Sequence, residues 1–356
     1  MTYTFNQKDL ENVVIGACFL ASGGGGALSE GKKIIDNIME FSKTIAVVDH
    51  TEVKDNELST VVAGVGSPEA GEKSIFKHSP RTAFDAMANS IQKSISHVLP
   101  VEIGAVNTLA PMLVAAGNNI SIVDGDGAGR AVPQMEMTTY ATQNVSVFLS
   151  TLANEKGYSM TVLAENAQDL EIKVRKIISD CEKFKDTAAI VTWVMDGKKL
   201  KKPGTIIPHT LKLAKDVGTA LKKDNPVEKV FKVLDMHNLC YWLITKGKVA
   251  KVESKEKGGF DYGRAIIEGD KRVVLDFVNE SLAAVIDSGH VVLAPHSICC
   301  MTLDGTPLSN ADLLDMYKKG ETPDVALIGI EARSELQTPA IVKSFVDLVE
   351  KVFVKD

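Results

Sequence analysis

Apolar residues first recur at helical spacing. Leu10, Val13, Val14, Ala17, Cys18 and Ala21 share one face, and Asn6 stands where a helix cap belongs. That predicts a helix over 7–21. Four consecutive glycines after Ser22 break it, and Ile34, Ile35, Ile38 and Met39 mark a second helix. Short continuous apolar runs then alternate with helical stretches. Residues 44–48, 60–65, 98–103, 120–123 and 160–163 read as strands; 82–96, 108–116 and a segment starting near Pro133 read as helices. Apolar runs without polar alternation belong to strands buried on both faces, as in a parallel or mixed sheet between helices. Residues 1–165 are therefore expected to form a three-layer α/β/α domain.

The texture then changes. Asn166 caps a charged helix to about residue 185, a strand covers 190–195, and a helix 208–222. From 241 to 293 come short strands (241–245, 249–252, 265–268, 273–278, 283–286 and 291–293), with Lys-Gly, Gly-Gly, Gly-Asp and Ser-Gly turns between them. Such spacing predicts an antiparallel barrel or sandwich, so residues 166–356 are expected to form a β-barrel-like second domain. Strand 325–330 and helix 340–352 end the chain. This last segment, about 323–356, either returns to the first domain or caps the second. A length of 356 residues suits two domains.

Two segments could carry chemistry. Ser22, Gly23, Gly24, Gly25 and Gly26 precede a helix, and such a loop exposes N–H groups to an anionic or oxygen-rich ligand. It matches neither a dinucleotide fingerprint nor a Walker loop. The second segment, Asp124-Gly125-Asp126-Gly127-Ala128-Gly129-Arg130-Ala131-Val132-Pro133, follows the strand 120–123, at the strand end where open α/β sheets bind ligands. Asp124 and Asp126 could activate water or bind a hard cation, and Arg130 could anchor a carboxylate. Glu136, on the following helix, points either at the same pocket or at solvent.

The seven histidines (His50, His78, His97, His209, His237, His290 and His296) form no HxH or HExxH, so each reads as isolated. His296 lies near Cys299 and Cys300, which alternate to opposite faces if that stretch is a strand. Five scattered cysteines without CxxC suit a reducing compartment, and the apolar stretch 13–21 lacks the charged lead and cleavage site of a signal peptide. A cytoplasmic protein is expected. Charged residues make up 24% and apolar ones 45%, which excludes a disordered chain. With 40 basic and 46 acidic residues, and only 198–202 locally basic, nucleic acid is not an expected partner. No run reaches the ~18 apolar residues of a membrane span.

The blocks Leu20-Ala21-Ser22-Gly23-Gly24-Gly25-Gly26 and Asp124 to Pro133 with Gln134-Met135-Glu136-Met137-Thr138-Thr139 resemble the S-methyl-thiohydantoin desulfurase family. So do Phe277-Val278-Asn279-Glu280 and the stretch from Ala294-Pro295 to Cys299. Members are often labelled hydantoin-utilisation proteins. One departure stands out: His296 occupies a place where many relatives carry Asp. The resemblance implies an α/β domain with a barrel-like one. It also implies a hydrolase that removes sulfur or methanethiol from a thiohydantoin-type ring in catabolism of histidine-derived compounds, leaving a hydantoin. Residue chemistry then assigns catalytic work to Asp124, Asp126 and Glu136. Substrate binding falls to Ser22, Gly23 to Gly26, Arg130, Asn279, Glu280 and His296. A divalent metal and a homo-oligomer are left open, and the expected partner is a small-molecule substrate. The alternatives are a hydantoinase-like cyclic-amide hydrolase and a non-catalytic metabolite-binding protein.

Overall fold

In the computed structural model, which describes residues 2–66, 76–184, 187–257 and 260–353, Asn6 caps the helix Gln7–Leu20. Its side chain accepts the Asp9 N–H while Asp9 accepts the N–H of Asn6, which satisfies two otherwise orphan donors. Ser22, Gly23, Gly25 and Gly26 all take positive φ, and the chain re-enters a helix at Leu28–Phe41.

The first sheet has eight strands in the order Tyr3–Asn6, Thr44–Val48, Ser121–Val123, His97–Pro100, Leu58–Gly66, Thr187–Asp196, Leu149–Ala153 and Ser159–Leu163. The four from Thr44–Val48 to Leu58–Gly66 are mutually parallel, and the flanking ones antiparallel. Successive residues of the central strands enter different cores. Val62, Val98 and Ile122 pack with the helices Gln7–Leu20, Leu28–Phe41 and Leu109–Asn118, while Val61, Leu99 and Val123 pack with Ala167–Asp180. Burial on both faces explains why these strands read as unbroken apolar runs.

Two expectations change here. The helix foreseen from Pro133 is a single 3-10 turn, Met135–Met137, and a one-turn helix, Thr139–Thr142. Thr138 and Thr139 donate side-chain hydrogen bonds to the carbonyls of Met135 and Thr205, competing with helix propagation. The strand Leu149–Ala153 follows unforeseen. The strand Thr187–Asp196 pairs with Leu58–Gly66, and the helices Thr210–Leu221 and Pro226–Met236 pack into the same core. Residues well past 165 thus complete the first sheet and its cover.

The second sheet is antiparallel throughout: Val291–Leu293, Glu280–Ile286, Val273–Val278, Phe260–Gly269, Tyr241–Lys257, Asp324–Ile330, Ser297–Thr302 and Pro307–Leu308. Among the described residues no ladder joins its two end strands. The expected runs 241–245 and 249–252 merge into one long strand whose bulges shift register near Leu243 and Val249. The tail serves both halves. Asp324–Ile330 lies inside the second sheet, and the helix Pro339–Phe353 packs on Met135–Met137 and on Glu280–Ile286. Among the described residues no helix is long and apolar enough to cross a membrane.

The helices Gln7–Leu20 and Thr210–Leu221 meet at glycines. A Cβ on Gly16 would fall on the Ala214 carbonyl oxygen, and one on Gly218 on that of Asn12. Gly16→Ala should therefore wedge the helices apart and cost about 1–3 kcal/mol, as overpacking does, read as a lower thermal midpoint. An unchanged midpoint would mean that the two helices do not meet at this crossing.

Candidate functional site

The carboxyl ends of three neighbouring parallel strands gather the ionisable groups. Thr44–Val48 runs into Asp49 and His50, His97–Pro100 leads to Glu102, and Ser121–Val123 leads to Asp124 and Asp126. This is the sheet edge at which α/β folds bind ligands.

Asp126 is fully buried and sits in a two-residue ladder with Ile207. Its oxygens accept the N–H groups of Ala128 and Gly129 at 3.1 and 2.8 Å. Burial nevertheless pushes the carboxyl up to about 7. Glu102, also buried, accepts from Asn107 Nδ2 at 2.6 Å and from the Val132 N–H at 2.7 Å. Burial, with the nearby charge of Glu280, pushes it up to about 8. Glu280 comes from the second sheet and lies directly on Gly24, where any Cβ would overlap its carboxyl. Burial pushes it up to about 7 against the pull of Arg130. Its Oε2 is buried and has no hydrogen-bond partner among the described residues.

Arg130, 1% exposed, reaches across the junction. Its Nε donates to the Ala131 carbonyl at 2.9 Å, Nη1 to His296 at 2.7 Å and Nη2 to Ser281 at 2.9 Å. The sequence suggested a free anchor for a substrate carboxylate, whereas the folded guanidinium spans three backbone carbonyls. Asp124 meets other partners than Asp126. Its Oδ1 accepts the Leu211 and Lys212 N–H groups at 3.0 and 3.2 Å, at the start of Thr210–Leu221, and its Oδ2 accepts the Tyr3 hydroxyl at 2.7 Å.

The glycine loop is a packing wedge. Gly25, at φ +70°, approaches Gly104 so closely that a Cβ would lie 2.6 Å from its Cα. The Ser22 hydroxyl accepts the Ile298 N–H at 2.9 Å, the Ser22 carbonyl accepts Ser281, and the Gly23 carbonyl accepts Asn310. Gly26 backs onto the Val106 side chain. Asn279 forms a turn, its Oδ1 accepting the Asp261 N–H. The His296 ring accepts the Ala332 N–H at Nδ1 and meets the Trp242 ring edge-on at 5.8 Å. Glu136 is half-buried on the 3-10 turn. Burial raises its carboxyl, and its charged neighbour is Glu171 rather than either loop aspartate.

Sequence reasoning passed over three groups. Glu102 lies inside the apolar run 98–103, and an acid in such a run is the available signal. His50 and His209 looked isolated, yet Asp49, His50, Asp124 and His209 form one cluster. His209 Nδ1 stands 3.7 Å from Asp124 Oδ2 and 3.8 Å from Asp49 Oδ2, and the two imidazole centres are 6.4 Å apart. Beside them runs a narrow cleft between the two sheets, lined by Gly129, Arg130, Thr210, Ser297, Glu331 and Arg333 among others.

A divalent cation does not suit these donors. The oxygens of Asp124 and Asp126 are already engaged by N–H and O–H groups, and among the described residues no set of three His, Cys, Asp or Glu could hold a metal. A thiol nucleophile is equally ill-served, since burial pushes Cys299 up to about 12.

A mixed α/β sheet joined to an antiparallel sheet, with buried acids at the junction, defines the class. The model for the S-Me-THD-like N-terminal domain matches residues 8–164, and that for the S-Me-THD-like C-terminal domain matches 164–345. The chain belongs to the S-Me-THD-like family. It shares its fold with a protein from Chromobacterium violaceum known from a crystal structure, at 24% identity and a TM-score of 0.83 over 99% of this chain and 97% of that one. No curated protein matches the sequence.

The three raised carboxyls set a pH dependence. Each binds its proton more tightly folded than unfolded, so their contribution is fully present below about pH 4 and is lost as pH rises through about 7–8. The denaturant midpoint should therefore fall between pH 5 and 8, and Glu280→Gln should flatten that fall. A midpoint that rises over this interval would show that the cluster is ionised and compensated in the folded state.

Proposed function

We propose that this protein is a cytoplasmic hydrolase of thiohydantoin-type rings, releasing sulfide or methanethiol and leaving a hydantoin, in catabolism of histidine-derived compounds. The observation that carries this reading is the buried Glu280 Oε2, which has no hydrogen-bond partner among the described residues, beside Asp126 and Glu102, at the junction of the two sheets. Membership in the S-Me-THD-like family supports the ring chemistry. A hydantoin-like ring presents N–H donors on a small plane, and a buried carboxylate oxygen with no hydrogen-bond partner among the described residues is an acceptor for one of them.

In this reading Asp126, poised at about 7, takes a proton from water as it adds to the ring carbon that bears sulfur. Glu280 accepts a ring N–H. Arg130 holds the two sheets in register around that position and offsets the anion that develops. Asp124 positions the helix Thr210–Leu221 that borders the cleft. The two sheets act as two units with the site at their junction. A ring-opening cyclic-amide hydrolase would use the same groups, and its product, an open carbamoyl acid, separates the two readings.

Asp126→Asn should lower kcat on an S-methyl-thiohydantoin by about 10²–10⁴, the usual loss with a general base. Released thiol and the ring chromophore would be followed together. Ring opening without thiol release would sink the desulfurase assignment, and full activity of the variant would remove Asp126 as the base.

A further inference from the structure

We propose that His209 is the proton donor to the departing sulfur, held in place by Asp124 and Asp49; this rests on the hydrolase reading above. His209 joins the strand Ile207–Pro208 to the helix Thr210–Leu221 in the left-handed region, at φ 64°, a conformation uncommon for a residue with a Cβ. Its N–H donates to the Asp124 carbonyl at 2.9 Å, and its ring Nδ1 stands within ion-pair distance of both aspartates. Backbone and ring are thus tied to the same residue. With Nδ1 turned to the carboxylates, Nε2 is the nitrogen left for a substrate. The side chain is 51% exposed, while Asp126, Glu102 and Glu280 are buried. The next residue, Thr210, lines the cleft, and so does Arg333.

The groups facing this imidazole are Asp124, Asp49, His50 and Arg333, and Tyr3 shares the Asp124 carboxylate. Asp124 raises His209 above its ordinary value, Asp49 adds to this and Arg333 opposes it. His50 moves the other way, lowered by burial. Two neighbouring imidazoles pushed apart in this manner divide protonated and neutral roles between them.

The step balances on these residues alone. Water adds its oxygen to the ring carbon doubly bonded to nitrogen. One of its protons goes to Asp126 and on to that ring nitrogen. The carbon–sulfur bond then breaks, its electron pair leaves with sulfur, and the His209 Nε2 proton makes methanethiol. As the carbonyl forms, the remaining hydroxyl proton restores the imidazolium.

The test uses His209→Asn, because asparagine tolerates the left-handed region but carries no transferable charge. The variant should melt like the wild type yet lose about 10²–10⁴ in kcat on an S-methyl substrate. It should lose far less on an S-(4-nitrophenyl) analogue, whose thiolate leaves unprotonated. In the substrate-free protein, the His209 imidazole followed by NMR should titrate above free histidine, and Asp49→Asn should lower that midpoint. Equal losses on both leaving groups, full activity of His209→Asn, or a titration indifferent to Asp49→Asn would each overturn the assignment. A wild type that turns over no thiohydantoin would overturn the hydrolase reading and the sulfur step with it. The titration, which needs no substrate, would still report whether the aspartates hold the ring.

Discussion

Arg130 keeps a positive charge where almost no water reaches it, and much of the junction is arranged around that charge. Its guanidinium binds one carbonyl on its own loop, the Ser281 carbonyl in the second sheet and the His296 carbonyl in the turn before Ser297–Thr302, and its charged end lies over the Phe345 ring. Removing one partner from a buried charge costs about 3–5 kcal/mol because the charge left behind is unsatisfied. The sheets therefore cannot slide without exposing or orphaning it. The same charge draws on Glu280, which burial would otherwise drive further toward its neutral form.

From this tie follows the division of labour along the loop that carries it. Asp124 and Asp126 are two residues apart, a spacing that puts both on one face of a regular strand, yet their carboxylates find different partners. One joins the helix start and the two histidines; the other enters the buried acid group. The glycine loop serves as the close-fitting floor. Gly24 gives way to Glu280, Gly25 to Gly104 and Gly23 to the Asn310 side chain, so the loop holds the junction by letting neighbours approach its backbone. Its carbonyls are occupied as acceptors from Ser281, Asn310 and Val106.

Much of this was legible in the chain. The capped first helix, the glycine break, the parallel core strands and the run of short antiparallel strands all rest on local periodicity, and each appears close to its expected place. The importance of the Asp124 to Arg130 loop was legible because a strand end followed by glycines and charges is locally unusual. Glu102, Asp49 and the His50–His209 pair were not. Their significance lies in contacts between residues far apart in the chain, such as Glu102 with Glu280 and His50 with His209, and no local period records these.

By itself, the sequence determined what local interactions decide: the capping of Gln7–Leu20, the burial of strands on both faces, the turns, and the family to which the chain belongs. Tertiary structure alone decided how those pieces share their charges. Arg130 became a clasp because two carbonyls from residues 281 and 296 arrive beside it. Thr187–Asp196 became part of the first sheet because Leu58–Gly66 offered it a free edge. The acids became poised near neutrality because packing, rather than residue type, removed their water. Solvation is a property of everything that surrounds a group, and a linear chain does not yet contain those surroundings.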